Sequence, residues 1–280
     1  MRLVVQGPTI TYAHLAHIHQ LCGTSVQFVQ TAQHAYYLAN QTTILPAIKQ
    51  FCVEQHIDCA FVPDNQTLKN FGLVVMDMDS TFISIECIDE IADMCNLKPQ
   101  VAAITASAMR GEIEFAESLR RRVKLLAGLH ESALQRVIDE RLQLNPGAQQ
   151  LVDTCKQYGI KTLLVSGGFN FFVDRVKAMT GLDYTKANSL EIIDGKLTGQ
   201  VLGTIVDAQG KADCLIQLRE KLGLKQEQVI AIGDGANDLK MMAAAGVSIA
   251  YHAKPIVHQQ ATYALNHTGL EGVINLFTTV

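Results

Sequence analysis

Four short apolar runs, Leu73 to Met76, Thr162 to Val165, Val229 to Ile232 and Val247 to Ala250, punctuate the chain beyond residue 70, with helix-like stretches between them. Such runs suit strands covered on both faces, and strands alternating with helices join a parallel sheet through crossover connections. The predicted fold class is therefore α/β, a Rossmann-like parallel sheet. In sheets of that kind ligands gather beyond the carboxyl ends of the strands. Between the first two runs, residues 85–144 are rich in Ala, Glu, Arg and Leu and carry no convincing strand, which predicts a helical cap insertion closed by Pro146-Gly147. A last hairpin from Leu190 to Leu202 is expected to turn at Asp194-Gly195, a dipeptide that tolerates positive φ at both turn positions.

The first 70 residues differ in composition. They hold six charged side chains (Arg2, Lys49, Glu54, Asp58, Asp64 and Lys69), against 50 in the whole chain of 280. A boundary is expected near Pro63-Asp64-Asn65-Gln66, so residues 1–65 read as one unit and 70–280 as another. Within the first unit, apolar runs at Leu3 to Val5, Val26 to Val29, Ala35 to Leu38 and Cys59 to Val62 alternate with helical stretches at Tyr12 to Leu21 and Ile44 to Cys52. This βαββαβ order predicts a small α+β ferredoxin-like domain and resembles modules of the amino-acid-binding ACT type.

A hydrophobic fraction of 48% beside a charged fraction of 18% excludes a mainly disordered chain. The formal charge of -4 has the wrong sign for phosphate backbones or anionic lipid, so neither nucleic acid nor membrane is expected as a partner. The N-terminus lacks a long apolar segment, and the most apolar later stretch, Met241 to Tyr251, is too short to span a bilayer. The expectation is a soluble, cytoplasmic protein. Seven cysteines without a C-x-x-C pair read as reduced core thiols. His14, His17 and His19 have no Cys or carboxylate at ligand spacing beside them, which favours ordinary packing over a metal site.

Chemistry concentrates where the strands end. The first run leads into Asp77-Met78-Asp79-Ser80-Thr81, and residues two apart on an extended chain point the same way. Two carboxylates crowded at one spot call for a cation, Mg²⁺ being the natural choice, although D-x-D also occurs in sugar-nucleotide enzymes and plain turns. The second run ends in Ser166-Gly167-Gly168, either an anion cradle or a tight strand-to-helix turn. Lys211 precedes a helical segment, Ala212 to Leu222, and alone carries no meaning. The third run ends in Gly233-Asp234-Gly235-Ala236-Asn237-Asp238, an acidic glycine turn suited to a hard cation.

Taken in order, D-x-D-S-T, S-G-G, Lys and G-D-G-x-N-D resemble the haloacid dehalogenase superfamily of aspartate-nucleophile phosphatases over residues 70–280. Within it, Glu86 and the segment AMRGEIEFAESLRRRV, which contains Met109, Phe115 and Arg122, resemble the phosphoserine phosphatase branch. The resemblance implies Mg²⁺-dependent hydrolysis of O-phospho-L-serine through an aspartyl phosphate, the last step of serine biosynthesis. Asp77 would be the nucleophile and Asp79 the acid and base. Mg²⁺ would be held by Asp77, Asp234 and the Asp79 carbonyl, with Asp238 behind them. Ser166, Gly167 and Lys211 would bind the phosphoryl group, and Glu86, Met109, Phe115, Arg122 and Asn237 the rest of the substrate. Arg122 suits a carboxylate because its guanidinium can bond both oxygens, while Arg120 and Arg121 lie on other helical faces. Met109 and Phe115 could equally be cap core. Phosphoryl transfer to an alcohol such as homoserine stays open as the alternative reaction, and homodimerisation is left open.

Overall fold

The computed structural model describes residues 1–42 and 45–278. Its N-terminal part contains β1 (Arg2–Gln6), α1 (Tyr12–Cys22), β2 (Val29–Ala32), β3 (Ala35–Leu38), α2 (Pro46–Glu54) and β4 (Asp58–Val62). The strands form an antiparallel sheet in the order β2-β3-β1-β4, so the expected βαββαβ unit closes in ferredoxin-like fashion. β2 begins later than the Val26 to Val29 run suggests, because Val26 is tied down locally: its N–H donates to Thr24 Oγ1 and its carbonyl faces His19 Nε2 at 2.7 Å. α2 starts at Pro46, where a missing N–H costs nothing in the first helical turn. Ile44, the expected start of that helix, lies outside the described residues. The three neighbouring histidines have separate duties. His14 exchanges hydrogen bonds with Thr11 at the start of α1, His17 packs its ring 4.5 Å from Phe51, and His19 meets Val26.

The second part opens with β5 (Leu73–Met76), followed by the cap helices α3 (Cys87–Met94), α4 (Lys98–Met109), α5 (Phe115–Lys124) and α6 (Ser132–Glu140). The chain enters and leaves the cap side by side, through the antiparallel bridge between Ile83 and Leu144. The elements α7 (Ala148–Gln157), β6 (Lys161–Phe169), α8 (Asn170–Thr180), β7 (Tyr184–Ile193), β8 (Lys196–Leu202), α9 (Ala208–Lys221) and β9 (Val229–Gly233) come next. The chain ends with α10 (Leu239–Ala243), β10 (Val247–Tyr251), α11 (Pro255–His258), β11 (Tyr263–Leu265) and α12 (Glu271–Phe277). The sheet order is β11-β10-β9-β5-β6-β7-β8, parallel throughout except for the β7-β8 hairpin. That hairpin turns at Asp194 (φ 49°) and Gly195 (φ 73°), as the dipeptide requires.

One consequence of this order positions the chemistry. β5 lies between β9 and β6, with Met76 opposite Ile232 and Leu164, so the three strands ending in D-x-D, G-D-G and S-G-G are neighbours. Lys211 sits in the first turn of α9 rather than before the helix; Asp207 caps that turn by accepting the Gly210 N–H at 2.8 Å.

The two sheets share interior. Val4, Ala60 and Val62 of the N-terminal sheet belong to the same apolar core as Phe71, Val74, Leu276 and Phe277, and every residue of α12 after Glu271 is buried. Polar clasps accompany the apolar contact. The buried Asp58 carboxylate accepts the N–H groups of Asn266, His267 and Thr268 and the Thr268 hydroxyl, at 2.8–3.1 Å. Arg2 donates to the carbonyls of Pro63, Gln66 and Leu276, and Gln6 pairs with Asn275. All seven cysteines are free thiols, and among the described residues no helix is long and apolar enough to cross a membrane.

Candidate active site

The cluster beyond β5, β6 and β9 is built around one buried ammonium. Lys211 is 1% exposed, with Nζ 2.5 Å from Asp77 Oδ1 and 2.7 Å from Asp238 Oδ1. Its two carboxylate partners raise its pKa above the ordinary lysine value despite a burial that opposes them. Burial, and then the Asp238 charge, push the Asp77 carboxyl well above the usual range against the pull of Lys211. Asp77 Oδ1 also accepts the Met78 N–H at 2.8 Å, which leaves Oδ2 as the oxygen without a protein donor among the described residues.

Asp238 is fully committed. Its second oxygen accepts the N–H groups of Asp234 and Gly235, and the turn must hold glycine at Gly233 because a Cβ there would lie 2.5 Å from the Asp238 side chain. Asp234 accepts the Thr81 hydroxyl at 3.2 Å, and its carboxyl is pushed up by burial and then by Asp238. Asp77, Asp234 and Asp238 bring carboxylate oxygens within 4.8 Å of one another. Three carboxylates thus share one ammonium's neighbourhood, and the raised Asp77 and Asp234 carboxyls mark the charge a hard divalent cation would relieve. Since Asp238 serves Lys211 and the turn amides, Asp77 and Asp234 are the open oxygen donors.

Asp79 points elsewhere. Its Oδ2 accepts the Ser166 hydroxyl at 3.0 Å and its Oδ1 accepts the Cys87 N–H at 2.8 Å, so the core and the first cap helix both orient it. Ser166 is completely buried and also accepts the Gly168 N–H at 2.8 Å. Gly167 lies under the cap: a Cβ there would stand 2.9 Å from the tip of the Phe115 ring, Cζ, so the ring would have to shift. Phe115, the first residue of α5, thus packs over the Ser166-Gly167 turn.

The remaining cap residues divide. Glu86 accepts the Ser80 hydroxyl at 2.7 Å, and loss of hydration followed by the Asp79 charge pushes its carboxyl up to about 7. Arg122 is half-buried. Its Nε has only a 3.4 Å contact with the Ser118 carbonyl, and among the described residues no carboxylate oxygen lies within 4.0 Å of its guanidinium. Burial lowers its pKa, while Asp89, Glu86 and Asp79 pull it up in that order. Arg120 and Arg121 are exposed, and Arg121 pairs with Glu117. Met109, expected at the substrate, is 73% exposed at the end of α4. Asn237 is exposed, with its Oδ1 folded over Gly235.

Two participants lack a clear sequence signal, and a third had one that went unread. The Cys87 contribution is a backbone N–H, which any residue type supplies. Thr81 closes the D-x-D-S-T motif, but its bond to Asp234 spans 153 positions. Asp89 was detectable as a second carboxylate in the first turn of α3, three residues after Glu86, which precedes the helix. A separate cleft of about 880 Å³ runs between Gly7, His34 and the cap entry; it reaches Ser80 but none of Asp77, Asp79, Ser166 or Lys211.

Residues 71–246 match the family model of haloacid dehalogenase-like hydrolases. A phosphoserine phosphatase of a Polaromonas species is 52% identical over 214 residues, covering 75% of this chain and 91% of that protein. The chain belongs to the phosphoserine phosphatase family of haloacid dehalogenase-like hydrolases. The Haemophilus influenzae phosphoserine phosphatase is 43% identical over 278 residues, 98% of this chain and 88% of its own length. Among solved structures, an unliganded probable phosphoserine phosphatase of Vibrio cholerae superposes with a TM-score of 0.87 at 38% identity, covering 99% of this chain and 86% of that one. These last two matches extend through the N-terminal sheet as well as the catalytic part.

Proposed function

We propose that the chain hydrolyses O-phospho-L-serine to L-serine and phosphate through an aspartyl-phosphate intermediate, with Mg²⁺, as the last step of serine biosynthesis in the cytoplasm. Asp77 Oδ2, the oxygen left free by Met78 and Lys211, attacks phosphorus. Asp79 in its protonated form gives its proton to the leaving serine alkoxide. It then takes a proton from the water that cleaves the acyl phosphate, restoring both carboxyls. Ser166, the Gly167 amide and Lys211 hold the transferred oxygens, and positioning plus charge stabilisation supply most of the rate. Asp77, Asp234 and the Asp79 carbonyl are the groups that would hold Mg²⁺, which supplies charge neutralisation between anionic nucleophile and anionic substrate.

The observation that carries the substrate assignment is Arg122. A half-buried guanidinium with no carboxylate partner among the described residues, yet within the electrostatic reach of Glu86, fits a ligand that brings its own carboxylate and an ammonium. Phe115 closes the cradle, Asn237 flanks it, and Met109 would join them only if the cap moved inward. Residues 1–65 are inferred to be an ACT-type module for regulation or assembly, because their sheet supplies no group to the cluster. The deciding experiment is phosphate release from a panel of phosphomonoesters with and without Mg²⁺, plus product analysis in added homoserine. Hydrolysis of phosphoserine should exceed that of other esters; equal rates across the panel, or phosphohomoserine as the main product, would refute the reading.

A further inference from the structure

One buried amide is bonded to both halves of the phosphate cradle without touching it. Asn188, on β7, is 1% exposed; its Nδ2 donates to the Gly167 carbonyl at 2.8 Å and its Oδ1 accepts the Val206 N–H at 2.7 Å. The partners fix the amide orientation, since a carbonyl can only accept and an N–H only donate. Aspartate offers no donor when ionised, and leucine, of similar size, offers neither group.

Each bond leads to a group of the site. The Gly167 carbonyl and the Gly168 N–H are opposite edges of one planar peptide, so holding the first directs the second. That N–H donates to Ser166 Oγ, which then spends its own proton on Asp79 Oδ2. On the other side, Val206 precedes Asp207, whose side chain caps α9 and whose carbonyl accepts the Lys211 N–H at 2.9 Å. One side chain therefore sets the Ser166 hydroxyl against the acid-base carboxyl and sets the turn bearing Lys211 against both.

We propose that Asn188 is a positioning residue for phosphoryl transfer, acting through the Gly167-Gly168 peptide and the Asp207 turn; the proposal rests on the phosphatase reading above. Asn188→Ala should lower kcat by about 10- to 100-fold, the penalty of a misplacement near 1 Å, while KM for phosphoserine changes by less than about threefold. Hydrolysis of p-nitrophenyl phosphate should fall by the same factor, because Glu86 and Arg122 play no part in the defect. Asn188→Asp adds a test that mere loss of packing cannot imitate. When ionised it keeps the Val206 bond but repels the Gly167 carbonyl; when protonated it donates to that carbonyl again. Its kcat relative to wild type at the same pH should therefore rise as pH falls. A kcat within about twofold of wild type in a folded Asn188→Ala protein, or a pH-independent ratio for Asn188→Asp, overturns the proposal. If the alanine variant fails to fold, the aspartate profile decides alone. Failure of the substrate reading would show differently, as an Arg122 variant that does not discriminate between the two esters.

Discussion

Replacing Arg122 with alanine separates recognition of the amino acid from movement of the phosphoryl group. In the free protein the guanidinium holds one weak contact with the Ser118 carbonyl and no carboxylate within 4.0 Å among the described residues, so its removal breaks no ion pair. Burial already disfavours its charge, and the folded protein should melt at or slightly above the wild-type temperature. What is lost is the contact with the substrate carboxylate. A charge-assisted hydrogen bond contributes roughly 1.5 to 3 kcal/mol, which corresponds to about 10- to 150-fold in kcat/KM. The assay compares phosphoserine with p-nitrophenyl phosphate at saturating Mg²⁺. Only the first ester carries a carboxylate, so only its kcat/KM should fall. An equal loss for both esters would show that Arg122 contacts phosphate or supports the cap, and the argument for an amino-acid substrate would lose its main support.

Three further outcomes follow from the geometry. Asp77→Asn should remain folded yet lose phosphoenzyme formation and turnover, because an amide cannot form the acyl phosphate; trapping of labelled phosphate by acid quench measures this directly. Chelation with EDTA should abolish activity and Mg²⁺ should restore it, and full activity after exhaustive chelation would remove the cation from the mechanism. Asp58→Ala should lower stability by about 3 kcal/mol or more, since it strands three backbone N–H groups in the junction, while activity per folded molecule stays at the wild-type level. Denaturant unfolding with parallel kinetics checks both halves, and a loss below about 1 kcal/mol would mean that the clasp is open to water.

Most of the site was legible because it depends on strand ends. Apolar runs without alternation specified a covered parallel sheet, and each motif followed its run directly, so its position at the sheet edge came with the strand assignment. The placement of β5 between β9 and β6 was not legible, since strand order depends on crossover connections rather than on any local run. Cap contacts were legible only in part. Glu86 and Arg122 offer the anion and the forked cation that a free amino acid needs, and Phe115 proved to press on Gly167, whereas Met109 fits the motif spacing yet stands in solvent. The N-terminal sheet stood apart in the sequence only as a charge-poor stretch. Its contact with the rest of the chain was not legible, because Asp58 looks like any exposed aspartate until the loop of Asn266 to Thr268 folds over it.

The two cations of the site are treated in opposite ways, and the difference follows from what each must meet. Lys211 is fully buried and bonded to two carboxylates, so it holds Asp77, the proposed nucleophile, in place and would need no reorganisation on entry of a phosphoryl group. A lysine left unpaired at that depth would lose its proton, and the site would then present carboxylates alone to an incoming anion. Arg122 can be left unpaired because guanidinium retains its charge under burial that would neutralise lysine. Were it already bonded to Asp89 or Glu86, the substrate carboxylate would have to displace that partner, and the exchange would cancel much of the binding gain. An arginine held near acidic groups but out of contact with them keeps its charge and the donors of its terminal nitrogens for the ligand. Exchanging the two residue types should therefore fail at both positions: Arg122→Lys for want of a fork, and Lys211→Arg for want of space between Asp77 and Asp238.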